Sequence, residues 1–312
     1  MSRSDASRRA VANADATPQV VVIGDVMTDV TVHTTCDLVA MARASDTTAG
    51  ITMGGGGAGG NVAAWLAHLG VRVGLVAAVG EDDAGRVATA RLRDASVIVE
   101  SATSAQLPTG TVVALVDAGG ERTMITDRGA NAALTVADLP TAWFRPGAHL
   151  YMSGYTLFDP PGRHTAQHAL ALAEASNMTI SVDPASWAPL RRVGPDAFLS
   201  WTAAAGHCLP NADEARLLAD TDDLLGAAQR LGRHYGQVVV TAGADGALWS
   251  DGETVLRQPA AAGPVIDTTG AGDAFAAGYL AGLIAHLDVR AILRQGARAA
   301  DAAIKRWGAR PG

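Results

Sequence analysis

The residues best suited to chemistry lie in the run D-T-T-G-A-G-D at positions 267–273. Gly270 and Gly272 leave the backbone free to turn tightly and let another molecule approach closely. The small residues from Ala274 onward predict a helix, and the free N–H groups at a helix start form a site for anions, most often phosphate. Asp273 would place a carboxylate inside that site. A base beside a phosphate cradle is what phosphoryl transfer needs, whereas the alternative interpretation makes Asp273 only a first-turn acid that complements the helix dipole.

Carboxylates at strand ends form the second group of candidate residues. Gln19–Gly24 is a continuous apolar run, as expected of a buried parallel strand, and Asp25 and Asp29 follow it in G-D-V-M-T-D. In open α/β sheets, ligands bind beyond the carboxyl ends of the strands. An Asp at this point can equally cap the next turn, so the pattern alone leaves both interpretations open. Pro264–Ile266 predicts a similar strand before the run at positions 267–273.

The order of the remaining elements predicts the scaffold that holds these acids. Val71–Val79 predicts another buried strand, and strands alternate with helices over positions 131–250. This βαβ rhythm implies a parallel sheet with right-handed crossovers. Residues 30–53 have a weak alternation that predicts short strands outside the central sheet. Residues 97–127 also have β-type patterning, with a hairpin that turns at Gly119-Gly120.

A second glycine-rich run, G-G-G-G-A-G-G-N at positions 54–61, precedes a helix that we expect to open at Asn61. A dinucleotide-binding loop is an alternative for this run. That loop needs a strand directly before its glycines, and the residue types of Ala49–Met53 make a poor strand. We therefore interpret the run as a shaped loop that leads into a helix start.

The composition argues against several other classes of protein. The chain has 312 residues, a net charge of −7 and no basic run that could follow a phosphate backbone, so we expect no nucleic-acid partner. Lys305 is the only lysine, which excludes a P-loop because that motif requires a lysine after its glycines. No apolar stretch reaches the roughly 18 residues of a spanning helix, so we expect no membrane insertion.

The cysteines and the N-terminal residues indicate the compartment. Cys36 and Cys208 lie far apart and lack CxxC spacing, which favours a reducing environment without a disulfide framework. Residues 1–19 are polar and lack the apolar region of a secretory signal, and we interpret them as a disordered tail. From these features we predict a cytoplasmic protein.

The run D-T-x-G-A-G-D followed by a small-residue helix resembles the C-terminal signature of the ribokinase-like carbohydrate kinase family, also called PfkB-type sugar kinases. Five motifs, near residues 25, 57, 80, 211 and 267, stand in the family's order, so the resemblance covers roughly residues 20–311. It implies a ribokinase-like three-layer α/β/α fold with a central, mostly parallel sheet and a small β-sheet lid. In that division, residues 30–53 and 97–127 form the lid. Residues 20–29, 54–96 and 128–312 form the nucleotide- and substrate-binding α/β domain.

The resemblance also implies an ATP-dependent kinase that phosphorylates a hydroxyl of a sugar or sugar-like substrate. The residues it assigns to catalysis are Asp273 as the base and Gly270, Ala271 and Gly272 as an anion hole. The residues it assigns to the substrate are Asp29, Gly57 and Asn61, together with Tyr155 from the pocket wall. The residues it assigns to ATP are Asn211, Thr241, Gly243, Gly246 and Gly272. The metal sites it implies are Mg²⁺ held through water by Asn211 and Glu214, and K⁺ near Asp267 and Thr269.

Asn211 and Glu214 also fit a purely local role. An Asn followed three residues later by a Glu has the spacing of a capping box, in which each side chain accepts from the other residue's backbone N–H. A capping pair exposed at a strand end can also order the water around magnesium, so both roles remain open at this point.

Two departures from the ribokinase pattern bear on the substrate. Ala58 stands where ribokinases carry a lysine, and Met27 stands where they carry a polar residue. Both make the sugar pocket more apolar, which would suit a nucleoside, so a nucleoside kinase of the adenosine or pseudouridine type is an alternative. A non-catalytic sugar or nucleotide sensor on the same scaffold is another. The resemblance further implies a homodimer formed through the lid, because a small sheet with one apolar face needs a cover.

Overall fold

Two β-sheets and ten α-helices are the main elements in the part of the chain that the computed structural model describes, which is residues 17–41, 44–119 and 122–312. The strands are β1 (Val20–Ile23), β2 (Met27–Thr34), β3 (Ala49–Gly56), β4 (Val73–Gly80), β5 (Ile98–Ser104), β6 (Gly110–Val116), β7 (Arg122–Asp127), β8 (His149–Ser153), β9 (Thr179–Asp183), β10 (His207–Cys208), β11 (Gln237–Thr241), β12 (Ala247–Ser250) and β13 (Val255–Gln258). The helices are α1 (Ala58–His68), α2 (Asp83–Asp94), α3 (Tyr155–Phe158), α4 (Pro160–Ala175), α5 (Trp187–Val193), α6 (Pro195–Trp201), α7 (Ala212–Ala219), α8 (Leu224–Tyr235), α9 (Ala271–Ile284) and α10 (Val289–Ile304).

Nine of the described strands form the large sheet, in the order β13-β12-β11-β10-β9-β8-β1-β4-β5. The strands from β11 to β5 run parallel to one another, whereas β12 runs antiparallel to both β11 and β13. Parallel neighbours need crossover connections, and the helices between the strands supply them. The alternation of strands and helices along the chain therefore predicted this sheet correctly.

The central strand β1 shows why the fold has three layers. All four of its residues are buried, since a parallel strand between two helical layers has no solvent face. Val20 and Val22 pack into a core with α1, α9 and α10. Val21 and Ile23 point to the other face and pack with α4, α7 and α8. Helices on both faces of a mostly parallel sheet, together with a separate smaller sheet, confirm the predicted ribokinase-like α/β/α fold class.

Four further strands form the smaller sheet, in the order β3-β2-β6-β7 among the described residues. The β6–β7 pair is the antiparallel hairpin expected from its sequence, although its turn at Gly120 falls outside the described residues. β2 and β3 also pair antiparallel, so the segment judged a poor strand does form one. β3 owes its extended conformation to hydrogen bonds with β2. Its own glycine-rich residues have little strand propensity, so residue types alone did not predict the strand.

The strand boundaries differ from the predicted lid in two places. The small sheet begins at Met27 rather than Val30, so Asp29 lies within β2 and not at the end of a strand of the large sheet. β5 pairs with β4 and belongs to the large sheet, although its sequence resembles that of the lid strands. Most residues of β5 are half-buried or exposed because β5 is an edge strand, and a strand of the lid would be similarly open.

Three other local predictions need correction. Pro264–Ile266 is not a strand, and Val265 and Ile266 are exposed. The helix expected from Asn61 begins three residues earlier at Ala58, and the helix expected from Ala274 begins at Ala271. Glycines carry little helix propensity, so sequence patterns place helix starts after them, whereas here the glycines themselves form the first turns.

Residues 1–16, the greater part of the segment interpreted as a disordered tail, lie outside the described residues. None of the helices in the described part of the chain has the length and apolar character needed to cross a membrane.

Candidate active site

A cavity of about 250 Å³ opens at the carboxyl edge of the large sheet, beneath the small sheet. Its walls come from β2, β6 and β7 on one side and from the starts of α1, α7 and α9 on the other. The residues singled out from the sequence that line it are Asp29, Gly57, Asn61, Tyr155, Asn211, Glu214, Thr241, Thr269, Gly270, Gly272 and Asp273. The predicted residues that do not line it are Ala271, Gly243, Gly246 and Asp267.

The start of α9 forms one end of the cavity. Gly270 precedes the helix with φ +73°, and a side chain there would overlap Ala309 of the C-terminal segment. The N–H of Ala271 donates to the carbonyl of Thr268 at 3.2 Å, so the amides of Gly272 and Asp273 are the ones without an intrahelical partner. A Cβ on Gly272 would meet no protein atom within 4 Å, and this open space beside unpaired amides suits an anion.

Asp273 lies beside those amides with its carboxylate turned toward α1. Its Oδ2 accepts a hydrogen bond from Nδ2 of Asn61 at 2.8 Å. Burial raises the pKa of Asp273 to about 7, and the hydrogen bond from Asn61 and the charge of Arg310 oppose that rise. The residue as a whole is only half-buried because it opens into the cavity. A carboxyl group with a pKa near neutrality and access to a cavity is suited to accept a proton.

Asp29 reaches the same cavity from β2. Burial raises the pKa of its carboxyl to about 6, with Arg310 acting in the opposite direction and Asp267 adding to the rise. Gly56 makes room for it, since a Cβ on that residue would overlap the Asp29 carboxylate. At neutral pH the group is therefore mostly ionised, and it offers charged oxygens to hydroxyl groups of a ligand.

Arg310, near the C-terminus, completes this cluster and was not identified from the sequence. Its Nε donates to Oδ1 of Asn61 at 3.1 Å, and its Nη2 donates to the carbonyl of Gly56 at 2.7 Å. Burial lowers the pKa of the guanidinium to about 10, while the neighbouring Asp29 and Asp273 raise it. A lone arginine two residues before the last position carries no spacing or pattern that could have marked it in the sequence.

A second arginine that the motifs did not mark forms an ion pair with an acidic residue of the cavity lining. Arg128 donates to both oxygens of Asp25, from Nε at 3.0 Å and from Nη2 at 2.8 Å, and it also pairs with Asp159. Asp25 is buried and lines the cavity. Its partner stands directly after β7, so this ion pair ties the large sheet to the last strand of the small sheet. Asp25 is thus ion-paired, an arrangement that neither the ligand-binding nor the turn-capping interpretation of its position had included.

Asn211 and Glu214 form the capping box that their spacing predicts. Oδ1 of Asn211 accepts from the N–H of Glu214 at 3.0 Å, and Oε2 of Glu214 accepts from the N–H of Asn211 at 2.9 Å. Burial raises the pKa of Glu214, and the neighbouring Asp183 carboxylate raises it further. Both capping residues nevertheless line the cavity, because α7 starts at the carboxyl edge of the sheet.

The turn after β11 follows the large sheet at its carboxyl edge. Thr241 lines the cavity, and its N–H donates to the carbonyl of Pro210 at 3.0 Å. Gly243 and Gly246 both have positive φ, and a Cβ on Gly246 would overlap the carbonyl of Gln258. Both glycines therefore shape the turn itself. Neither of them lines the cavity.

Asp267 is buried behind the start of α9. Its Oδ1 accepts from the N–H of Thr269 at 2.8 Å, and its Oδ2 accepts from the N–H of Gly308 at 3.0 Å. This carboxylate thus joins the loop before α9 to the C-terminal segment. No group of three or more His, Cys, Asp or Glu side chains in the described ranges has the arrangement of a metal site. Any divalent ion would therefore depend on water and ligand oxygens for most of its coordination.

The layered fold and a cavity at the carboxyl edge of its sheet define a ribokinase-like α/β protein, and comparison with known proteins agrees. The profile of the pfkB family carbohydrate kinases matches residues 17–312. The aminoimidazole riboside kinase of Salmonella typhimurium is 32% identical over 234 residues, which is 72% of this chain and 72% of that protein.

Two solved structures extend the comparison. An adenosine kinase from Sinorhizobium meliloti has a TM-score of 0.86 at 25% identity, over 95% of this chain and 96% of that one. A fructokinase variant from Vibrio cholerae, solved with fructose, ADP and a potassium ion, has a TM-score of 0.79 at 26% identity, over 95% and 94% of the two chains.

The chain therefore belongs to the pfkB family of carbohydrate kinases. Sugar kinases of this family, ribokinase and fructokinase among them, are ATP-dependent phosphotransferases, and this chain is an enzyme of that class.

Proposed function

We propose that this enzyme transfers the γ-phosphoryl group of ATP to a hydroxyl of a sugar or sugar-like substrate, with Asp273 as the general base. The observation that carries the proposal is the position of the Asp273 carboxylate, which opens into the cavity beside the unpaired amides of α9. Its pKa of about 7 lets it be ionised before the reaction and protonated after it.

In the proposed reaction, the acceptor hydroxyl gives its proton to a carboxylate oxygen of Asp273 while its oxygen attacks the γ-phosphorus. The bond between that phosphorus and the bridging oxygen of ADP breaks on the opposite side, and ADP leaves with the electron pair. The amides of Gly272 and Asp273 would hold the phosphoryl oxygens as charge shifts during transfer. Removal of one such donor costs about 3 kcal/mol in other enzymes.

Residues of β2, of the start of α1 and of α3 would position the acceptor substrate. Asp29 would accept hydrogen bonds from substrate hydroxyls. Gly57 has a φ of +85°, which favours glycine, and the absence of a side chain there would let the substrate approach the backbone. Asn61 would hold both the substrate and the base, since its amide already donates to Asp273. Tyr155 would close the wall. Fixed placement of both reactants supplies much of the rate in phosphoryl transfer.

The residues around α7 fit magnesium held through water. Asn211 and Glu214 present side-chain oxygens to the cavity, and each has lone pairs beyond those used in the capping box. Bound Mg²⁺ would neutralise charge on the β- and γ-phosphates. Thr241 and the Gly243–Gly246 turn would carry the rest of the nucleotide.

We also propose that potassium supports the anion site from behind. Asp267 offers a buried carboxylate at the loop of Thr269, and oxygen ligands suit a hard cation. The fructokinase from Vibrio cholerae was solved with a potassium ion.

A nucleoside is the second candidate substrate, and the lid side of the cavity favours it. Met27, Val112, Ala114 and Met124 make most of that side apolar, whereas Asp29 on β2 and Asn61 on α1 add polar groups beside it. A nucleoside matches this mixed lining, because its ribose carries the hydroxyls and its base has a flat apolar face. Relatives include an adenosine kinase and an aminoimidazole riboside kinase.

A panel assay separates these possibilities. We expect ADP release with ATP, Mg²⁺ and at least one member of a panel of free sugars and nucleosides, and a higher rate in KCl than in NaCl at equal ionic strength. Equal rates in the two salts would exclude potassium activation. No turnover on the whole panel, with thermal stabilisation by one of its members, would instead identify a sensor.

The small sheet offers the surface for the proposed homodimer. Ile51, Met53 and Ile125 are 63%, 70% and 58% exposed on the face that turns away from the cavity. We expect the wild type to sediment as a dimer and Met53→Asp to shift it to monomer. Leu225→Asp, on the distant helix α8, is the control and should remain dimeric. A monomeric wild type would contradict the proposal, and cytoplasmic location stays a prediction from the sequence.

A further inference from the structure

The last residues of the chain are bound to the candidate active site at three successive positions. The N–H of Gly308 donates to Asp267 at 3.0 Å, and Ala309 lies against Gly270 with its carbonyl accepting from Nε1 of Trp65 at 2.9 Å. Arg310 then enters the space between α1 and β3. The C-terminal segment therefore packs behind the residues of the site, and none of its own residues lines the cavity.

Missing side chains on two glycines make room for the Arg310 guanidinium. A Cβ on Gly55 or on Gly60 would overlap its nitrogens. The guanidinium is thereby held flat between β3 and the first turn of α1, with Nε directed at Asn61 and Nη2 directed at Gly56. A planar donor group in a slot formed by two glycines has little freedom to turn.

Resting on the proposed kinase function, we propose that Arg310 is a positioning residue for the general base. It fixes the Asn61 amide so that its N–H faces Asp273, and it supplies the positive charge that offsets the two carboxylates gathered at this site.

The orientation of the Asn61 amide follows from hydrogen-bond chemistry. A guanidinium has five N–H donors and no acceptor, so the atom of Asn61 that faces Arg310 must be the oxygen. The amide nitrogen is then left to face Asp273, which it does at 2.8 Å. Without Arg310 the amide could turn over, and its oxygen would repel the ionised base.

The charges around Asp273 explain why one cation matters here. Asp29 and Asp183 raise the pKa of the base, and Arg310 lowers it. The polar and titratable groups that face Asp273 from the packed elements are Asp29, Asn61, Tyr151, Tyr155, Asp183 and Arg310. Arg310 is the only cation among these groups. A nearby opposite charge lowers a carboxyl pKa, so the loss of Arg310 would raise the pKa of Asp273 further and leave a larger share of the base protonated at neutral pH.

The test compares Arg310→Gln, Arg310→Lys and Arg306→Gln in the full-length enzyme. Arg306 lies in the same C-terminal segment, over Trp65, and donates only to the carbonyl of Ala302, so its replacement is the matched control. We expect Arg310→Gln to shift the acid limb of the pH profile of kcat/KM upward by about one pH unit or more, with about 5-fold or greater loss of kcat/KM at pH 7 that is largely recovered at high pH. Arg310→Lys should lie between this variant and wild type, because lysine keeps the charge but not the two-pronged geometry.

The proposal is overturned if Arg310→Gln keeps the wild-type limb, or if Arg306→Gln moves it equally. Should Arg310→Gln fail to fold, the same comparison between Arg310→Lys and Arg306→Gln decides. Should the wild type show no turnover at all, the kinase proposal fails separately. The pKa of the Asp273 carboxyl, read by ¹³C NMR and assigned with Asp273→Asn, then tests Arg310 without any activity measurement. An Asp273 pKa that Arg310→Gln leaves unchanged would overturn the inference.

Discussion

Asp273→Asn is expected to lower kcat by about 10²–10⁴-fold while ATP binding remains measurable, because general-base catalysis contributes about that much. Asparagine has nearly the same shape but cannot take a proton from a hydroxyl. It can still accept from Asn61, so the site should stay assembled. Steady-state kinetics with the accepted substrate and calorimetry with ATP measure the two effects.

Asp83→Asn is the matched control for this change. Asp83 is also an acid in the first turn of a helix, but it is exposed on α2 and pairs only with Arg86. This variant should keep wild-type kcat. If Asp273→Asn retains more than about a tenth of wild-type kcat, Asp273 is not the base.

The pH dependence gives a second signature of the same group. A base acts in its ionised form, and burial raises the pKa of Asp273 to about 7. The kcat/KM of the wild type should therefore fall as the pH drops below about 7. The residual activity of Asp273→Asn should lack this limb, because the group that titrates has been removed.

Asp29→Asn is expected to weaken the acceptor substrate selectively. Hydrogen bonds to charged groups contribute about 1.5–3 kcal/mol each, so kcat/KM for the acceptor should fall by about 10- to 150-fold. KM for ATP should stay unchanged, because Asp29 stands on β2, on the lid side of the cavity. Initial-rate kinetics with each substrate varied in turn separate the two constants.

Asp46→Asn controls for the loss of one acidic charge. Asp46 is exposed in the loop between β2 and β3, outside the cavity lining. Its replacement should leave both kinetic constants at wild-type values. If Asp29→Asn raises KM for ATP as much as it lowers kcat/KM for the acceptor, the assignment of Asp29 to the acceptor is wrong.

Local features of this molecule could be predicted because the information for them is local. The buried run at β1, the capping box of Asn211 and Glu214, and the glycine-rich start of α9 are each encoded within a few residues. Such patterns depend on strand burial, helix capping and backbone freedom, which hold wherever the segment is placed. The order of the five family motifs along the chain then indicated the ribokinase-like fold.

Elements whose pairing depends on distant partners were predicted poorly. β3 is glycine-rich and owes its extended form to hydrogen bonds with β2, and β5 owes its place in the large sheet to β4. Their own residues resemble a loop and a lid strand, respectively. Pairing partners override intrinsic strand propensity, so residue types alone misplaced both segments.

By itself, the sequence determined the layered α/β fold, the glycine-rich helix start that we propose as the anion site, and Asp273 as the candidate base. Only the tertiary structure decided what surrounds that base. Asn61 and Arg310 are 249 residues apart, and Asn61 and Asp273 are 212 apart, yet they form one hydrogen-bonded chain. The physical reason is that a side chain's pKa and orientation depend on burial and on neighbouring charges, which exist only once distant segments have packed together.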